Sequence, residues 1–277
     1  MITDDRVCFN GVHTRRLSVA GNGTPIALLH GFADGVDTWR GLLTEFREAG
    51  RAAFALDMPG FGQADPREPG AIMPQLDAFV DAVVSDTGPV ILMGNSLGAC
   101  VSVRAATRGS DDVRAVITVD EPILASHWLM RLSRGRRDPT KVLHGRIPVP
   151  KHLYDSIVRH TFTRLLYADP SMADPTAVAR FADHLADPAG RRKVLGEARA
   201  IALETVDGYD TDHVTCPLLV IHGRLDRIIP VHASVRLHRS VPASTLVVLP
   251  NSGHCPQLDD PAELARHTLR FIEGEVT

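Results

Sequence analysis

Pro89-Val90-Ile91-Leu92-Met93-Gly94-Asn95-Ser96-Leu97-Gly98-Ala99-Cys100 runs from an apolar stretch, through a serine held between two glycines, into a helical pattern that continues to Ala106. A short, unbroken apolar run bounded by glycine suits a strand buried on both faces. The bare G-x-S-x-G pattern would arise by chance in roughly one sequence in twelve of this composition, so the flanking pattern carries the reading. Here a strand must turn sharply into a helix, and the glycines leave room for a turn that lifts the serine Oγ clear of the backbone. A helix beginning at Ser96 also aims its dipole and its free N–H groups at any negative charge that develops there.

Working outward, Ile26 to Leu29, Ala52 to Leu56, Val116 to Val119 and Leu218 to Ile221 are further apolar runs that end near Gly, Pro or Asp, and Thr245 to Leu249 closes the series. Alternation of such runs with helical patterns predicts an α/β fold, a mostly parallel central sheet with helices on both faces. Val7 to Val19 carries β-prone residues on either side of Asn10-Gly11, a dipeptide suited to the φ > 0 positions of a hairpin turn. Trp39 to Phe46 and Leu76 to Val84 place apolar residues at three- and four-residue spacing, as helices packed on a sheet require.

Between Ile123 and Asp212 the strand rhythm stops and helical segments follow one another, separated by Pro and Gly. Asp174-Pro175 supplies an N-cap and a first-turn proline, after which Val178, Phe181, Ala182 and Leu185 share a face, and Asp187-Pro188 opens another helix in the same way. With no Gly/Ser-rich linker on either side, the economical division is a core of residues 1–122 and 213–277 with a helical cap (lid) inserted at 123–212. There is no internal repeat and no low-complexity tract.

The bulk numbers narrow the class. A chain of 277 residues, 44% hydrophobic and 23% charged, is an ordinary globular sequence long enough for one large core with an insertion. Lys+Arg total 30 against 33 Asp+Glu, a formal charge of −3, which provides no global attraction for nucleic acid or for an anionic membrane. The densest basic stretch, Arg131, Arg134, Arg136, Arg137 and Lys141, reads as a solvated helix end and loop. Cys8, Cys100, Cys216 and Cys255 are far apart and form no metal-ligand spacing, so reduced thiols and no structural metal are expected. Met1 to Phe9 is polar and acidic rather than signal-like, and no run approaches the ~18 apolar residues of a membrane helix, so a cytoplasmic location is expected.

On these motifs the sequence resembles the α/β-hydrolase family, with Ser96 at the nucleophile elbow. His30-Gly31-Phe32 follows the strand Ile26 to Leu29, where the family places its oxyanion loop; the resemblance implies the N–H groups of Phe32 and Leu97 as oxyanion donors. Asp57-Met58-Pro59-Gly60-Phe61-Gly62 is similar to the family's D-x-P-G-x-G turn. Asp226, in Gly223-Arg224-Leu225-Asp226, matches the acid after a late strand, and His254, in Ser252-Gly253-His254, the histidine after the last one. The order Ser96, Asp226, His254 is the family's order, and outside the lid the resemblance spans about residues 12–122 and 216–273. Ala99 departs from the second glycine that many relatives carry after the elbow, a change of one methyl group.

Each residue type has a chemical reason. A serine hydroxyl needs an imidazole within hydrogen-bond reach to accept its proton as it attacks. That imidazole, His254, needs a buried carboxylate on its other nitrogen to set its tautomer and balance the charge it gains. Asp226 fits that role, while Asp120 and Glu121, which end the strand Val116 to Val119, are the alternatives because some relatives carry their acid there. His30 is expected to buttress the oxyanion loop and Asp57 to pin its turn, and Cys255 to pack or line the pocket.

The expected activity is hydrolysis of a small or medium acyl substrate, most simply a carboxylic ester, through an acyl-Ser96 intermediate, with no cofactor and no metal. Relatives that open epoxides or remove halides use an aspartate at the elbow, which Ser96 argues against. Carbon–carbon hydrolases often have Gly-rich oxyanion loops and a tryptophan after the catalytic histidine, where this chain has Phe32-Ala33-Asp34 and Cys255. Thioesterase, lactonase, cofactor-free haloperoxidase and acyltransferase activity remain alternatives on the same triad, as does a non-catalytic ligand-binding protein. The expected partner is a small-molecule substrate roofed by lid side chains such as Trp128, Leu129, Phe162 and Phe181; self-association into a homo-oligomer is left open.

Overall fold

The computed structural model describes residues 1–123 and 151–276. The basic stretch Arg131 to Lys141 and the lid residues Trp128 and Leu129 lie outside the described residues.

The first two strands, β1 (Thr3–Phe9) and β2 (Val12–Val19), form the expected hairpin, and its first strand begins earlier than the stretch Val7 to Val19 suggested. Asn10 and Gly11 at its turn have φ of 47° and 79°, the paired positive values that a tight hairpin needs. The next strands are β3 (Asn22–Leu29), β4 (Arg51–Leu56), β5 (Val90–Asn95), β6 (Val113–Val119), β7 (Leu218–Gly223) and β8 (Thr245–Leu249). They complete one 8-stranded sheet in the order β1-β2-β4-β3-β5-β6-β7-β8. β1 and β2 are antiparallel to each other and β2 to β4, and every other pairing is parallel.

Two apolar layers cover the sheet, and the two-residue period of the strands assigns each side chain to one of them. Ala27, Leu29 and Leu92 face the layer containing helices α2 (Ile72–Thr87) and α3 (Leu97–Thr107). Ile26, Leu28, Ile91 and Met93 face the opposite layer, which contains α1 (Arg40–Glu48) and, near the C-terminus, α8 (Pro261–Glu275). This is the fold expected from the apolar runs. Trp39 closes a short 3-10 turn, Val36–Trp39, rather than opening α1, and it is fully buried against the second layer.

Between β6 and β7 the described chain forms α4 (Lys151–Leu166), α5 (Pro175–Asp183) and α6 (Pro188–Glu204), and α7 (His232–Ser240) follows β7. The two Asp-Pro starts behave as their chemistry requires. Asp174 accepts from Thr176 N–H at 2.8 Å, and Asp187 Oδ1 accepts from Ala189 and Gly190 N–H at 2.7 and 2.8 Å. Val178, Phe181 and Ala182 form the buried face of α5, whereas Leu185 lies just past its end.

These helices are fastened to the sheet by polar contacts. Glu204 of α6 accepts from the free N–H groups of Ile72 and Met73 at 3.1 and 2.7 Å, so one carboxylate both caps α2 and meets its positive dipole end. Arg67 pairs with Glu197 of α6, donates to Pro59 O at 2.6 Å and stacks over the Phe61 ring. No helix among the described residues is long and apolar enough to cross a membrane.

Candidate active site

Parallel strands in register bring the loops that leave their carboxyl ends to one edge of the sheet, where a site can be assembled from residues far apart in sequence. β5 ends at Asn95 and delivers Ser96 to the start of α3. Ser96 has φ 52° and ψ −111°, a strained conformation for any residue with a side chain. Its backbone is held on both sides: its N–H donates to Val119 O at 2.9 Å and its carbonyl accepts from Cys100 N–H at 3.0 Å. Two other non-glycine residues with positive φ, Ala33 and Asp120, stand at the exits of β3 and β6 on the same edge.

The two glycines of the elbow are required by close backbone approach. A Cβ on Gly94 would lie 2.1 Å from Gly98 C, and one on Gly98 would lie 2.0 Å from Leu29 O and 2.8 Å from His30 O. The atoms in the way are backbone, so relief would require moving α3 off β3. Gly98→Ala is therefore expected to remove about 3 kcal/mol or more of stability. Urea denaturation followed by circular dichroism measures this, and a parental midpoint would contradict it.

Asp226 and His254 are brought into contact. His254 Nδ1 donates to Asp226 Oδ2 at 2.8 Å, and Asp226 Oδ1 accepts from the N–H groups of Ile228 and Ile229 at 2.6 and 2.9 Å. Burial pushes the Asp226 carboxyl up. The charge and hydrogen bond of His254 and the two backbone donors outweigh that and hold it below the usual carboxylate range. Asp226 therefore stays ionised beside the ring it orients.

The histidine is tied to the elbow through its backbone. Asn95 Nδ2 donates to His254 O at 3.0 Å and reaches Val119 O at 3.3 Å, so the residue before Ser96 holds a segment 159 positions away. Asp259 fixes the other side of that segment by accepting from Gly253 N–H at 2.7 Å and from Ala168 N–H, just past α4, at 3.0 Å. Among the described residues no hydrogen bond joins the Ser96 hydroxyl to the His254 ring.

The loop after β3 lies against the elbow. A Cβ on Gly31 would sit 3.5 Å from Ser96 Cβ and 3.3 Å from Asn95 Oδ1. Among the described residues, the amides of Phe32 and Leu97 are given to no backbone or side-chain acceptor. His30 is fully engaged: Nδ1 donates to Gly31 O at 2.7 Å and Nε2 accepts from Met58 N–H at 2.9 Å. That arrangement holds the loop and leaves no ring nitrogen for proton transfer. Asp57 accepts from Val36 N–H at 2.7 Å and from Gln63 N–H at 2.8 Å, pinning its own turn.

The two rival acids do other work. Glu121 Oε1 accepts from Ile123 N–H at 2.5 Å and from the Tyr209 hydroxyl at 2.6 Å. Asp120 Oδ1 accepts from Gly223 N–H at 2.9 Å, and the proton on His254 Nδ1 goes to Asp226. Asp120, His222 and Asp226 do offer ligand atoms within 4.8 Å of one another. Yet His222 engages Ser234 Oγ at 2.8 Å and Ile229 O at 3.1 Å through its two nitrogens, and Asp226 is held by His254, so this donor set fits a hydrogen-bond network better than a metal cage.

Cys255, next to the histidine, is packed in a cluster with Leu166, Tyr167, Val178 and Phe181, and its N–H donates to Leu166 O at 3.2 Å. Burial, followed by the surrounding carboxylates, pushes its thiol well up, away from the thiolate that a nucleophile needs. Phe162 and Phe181 stack at 5.8 Å between ring centroids. A cavity of about 200 Å³ lies beside the loop after β3, between Ala33, Gly60 and Phe61 on one side and His184, Lys193, Val194 and Glu197 on the other.

Sequence reasoning did not single out Asn95 or Asp259, or the pairing of Asp120 with Gly223. No motif marks them, because each acts through backbone groups that only the folded sheet brings near.

A model of the alpha/beta hydrolase family matches residues 26–267. The chain is 29% identical over 279 residues to a 2-hydroxy-6-oxo-2,4-heptadienoate hydrolase of Pseudomonas putida, covering 97% of this chain and 96% of that protein. Among solved structures it is similar to a serine hydrolase involved in carbazole degradation, with a TM-score of 0.77, 20% identity, and 99% and 100% of the two chains covered. A thermophilic esterase from Thermogutta terrifontis superposes with the same TM-score of 0.77 at 21% identity, again over 99% and 100% of the chains.

Proposed function

The chain belongs to the alpha/beta hydrolase family, and from that membership we propose that it is a serine hydrolase cleaving the carboxylic ester of a small or medium acyl substrate. The observation that carries this reading is the His254–Asp226 hydrogen bond of 2.8 Å, on a segment whose carbonyl is held by the residue next to Ser96. In the mechanism, Ser96 Oγ attacks the ester carbonyl while His254 Nε2 takes its proton, and Asp226 stabilises the resulting imidazolium. The N–H groups of Phe32 and Leu97 receive the tetrahedral oxyanion, each contributing on the order of 3 kcal/mol. His254 then returns the proton to the leaving alkoxide, and water attacks the acyl-Ser96 ester by the same route in reverse. The Ser96–His254 hydrogen bond forms with substrate in place, as contacts of this kind commonly tighten in the Michaelis complex.

We assign residues 123–212 as a cap over a core of 1–122 and 213–277. Two contacts support this: Leu166 meets Cys255 beside the histidine, and α6 closes the cavity next to the oxyanion loop. On this reading the cap selects the acyl group. The resemblance to the Pseudomonas putida enzyme favours a second reading, a carbon–carbon hydrolase acting on an oxo-dienoate with the same residues.

Labelling with a fluorophosphonate, peptide mapping of the adduct, and turnover of p-nitrophenyl esters of increasing chain length test the proposal beside an oxo-dienoate substrate. Adduct on Ser96 with ester turnover is the expected result. Adduct with turnover of the oxo-dienoate alone would transfer the assignment to the second reading, and absence of any adduct would refute both.

A further inference from the structure

Asp120 is completely buried, stands at the positive-φ exit of β6, and offers a carboxylate oxygen within 4.8 Å of one on Asp226. Two carboxylates that close in a dry site cannot both remain ionised, and the one with fewer donors takes the proton. Asp226 receives three hydrogen bonds, from His254 Nδ1 and from the N–H groups of Ile228 and Ile229. Asp120 receives one, from Gly223 N–H to Oδ1, and no donor reaches its buried Oδ2. His222 does not change that count. Its Nε2 faces Ile229 O at 3.1 Å, a carbonyl that only an N–H can satisfy, so Nδ1 is left to accept from Ser234 Oγ.

We propose that Asp120 is a neutral carboxylic acid whose Oδ2–H donates to Asp226, making it a positioning residue that holds the triad carboxylate. The inference rests on the reading of Asp226 as the triad acid. Burial, and after it the charge of Asp226, push the Asp120 carboxyl well above the usual carboxylate range, in keeping with the donor count. The titratable groups around Asp120 are Asp226 and His222 from β7 and the turn after it, and Cys255 and Asp259 from the segment after β8.

The expected consequence is unusual for an active-site carboxylate: Asp120→Asn should be tolerated. An asparagine adopts positive φ readily, its Oδ1 can accept from Gly223 N–H, and its Nδ2–H can donate to Asp226. Ester turnover and fluorophosphonate labelling should stay within about threefold of the parent. Asp120→Ala removes the donor and should lower kcat by on the order of tenfold to a hundredfold with KM little changed, the worth of one charge-assisted hydrogen bond. Stability gives a readout that needs no turnover. The raised value in the folded chain means that below about pH 4 both states of the parent hold the proton, whereas above it the unfolded chain releases the proton and the folded chain keeps it. Parental stability should therefore fall relative to Asp120→Asn by about tenfold in the folding constant per pH unit above that point, until the folded carboxyl itself ionises. Asp259 and His222 are present in both proteins and cancel.

Denaturation of the two proteins across pH, kinetics of both variants, and the infrared difference between the parent and Asp120→Asn decide the matter. A protonated carboxyl band at about pH 7 that the parent shows and Asp120→Asn lacks is expected. A loss of activity in Asp120→Asn as deep as that in Asp226→Asn would make Asp120 an ionised partner of the histidine and overturn the proposal. So would parallel pH–stability curves, or a carboxyl band unchanged between the parent and Asp120→Asn. If no ester is turned over at all, the stability and infrared results still decide the protonation of Asp120, and the failure belongs to the functional reading.

Discussion

Replacing Ser96 with alanine is expected to lower ester turnover by about 10⁴- to 10⁶-fold and to abolish fluorophosphonate labelling, while leaving the protein folded. The size follows from what is lost. Without Oγ no acyl intermediate can form, and only water held near the oxyanion donors and the His254 base remains to react. The fold should tolerate the change because the Ser96 side chain accepts no structural hydrogen bond: its backbone N–H and C=O are what bind Val119 and Cys100. Alanine keeps the strained φ of 52° at no greater cost than serine. Single-turnover and steady-state assays on a short ester, with circular dichroism as a control, measure this. A variant as active as its parent would end the mechanism.

Asp226→Asn should lower kcat by about 10⁴-fold, for a reason distinct from charge alone. The carboxylate accepts the proton on His254 Nδ1, leaving Nε2 free as a base. An amide can present its NH₂ to Nδ1 instead, which places the ring proton on Nε2, where it faces the serine and blocks proton acceptance. Oδ1 of the new side chain can still accept from Ile228 and Ile229 N–H, so the turn should persist. Increasing pH should not restore activity, because the fault lies in the tautomer. Measuring kcat against pH for this variant and for Asp120→Asn separates two buried carboxylates on the same edge, one expected to be indispensable and one replaceable by its amide.

Much of the fold was legible because its signals are local. Strands buried on both faces need uninterrupted apolar runs, and the runs at Ile26, Ala52, Val90, Val116, Leu218 and Thr245 all fall inside observed strands. The Asp-Pro pairs announced α5 and α6 because capping is settled within four residues. Boundaries were less legible. Trp39 has the spacing of a helical residue, yet burial in the layer beneath the sheet places it in a 3-10 turn.

The site divides along the same line. Ser96 sits in a turn whose glycines are required by backbone packing within one motif, so its neighbourhood could be read from the residues beside it. The partnership of Asp226 with His254 depends on the register of β7 and β8, and the choice among Asp226, Asp120 and Glu121 could not be made from spacing. Our proposal of Asp226 rests on particulars of the folded chain: Tyr209 engages Glu121, Gly223 engages Asp120, and Ile228 and Ile229 donate to Asp226.

The Asn95 link to the His254 carbonyl joins residues 159 positions apart, and it can form only after the later one is made. On the proposed mechanism, the strand that leads to Ser96 leaves the ribosome long before the segment that carries His254 exists. On that mechanism a growing chain carries an ordinary alcohol until its final segment docks, and truncation ahead of that segment should leave the alcohol inert.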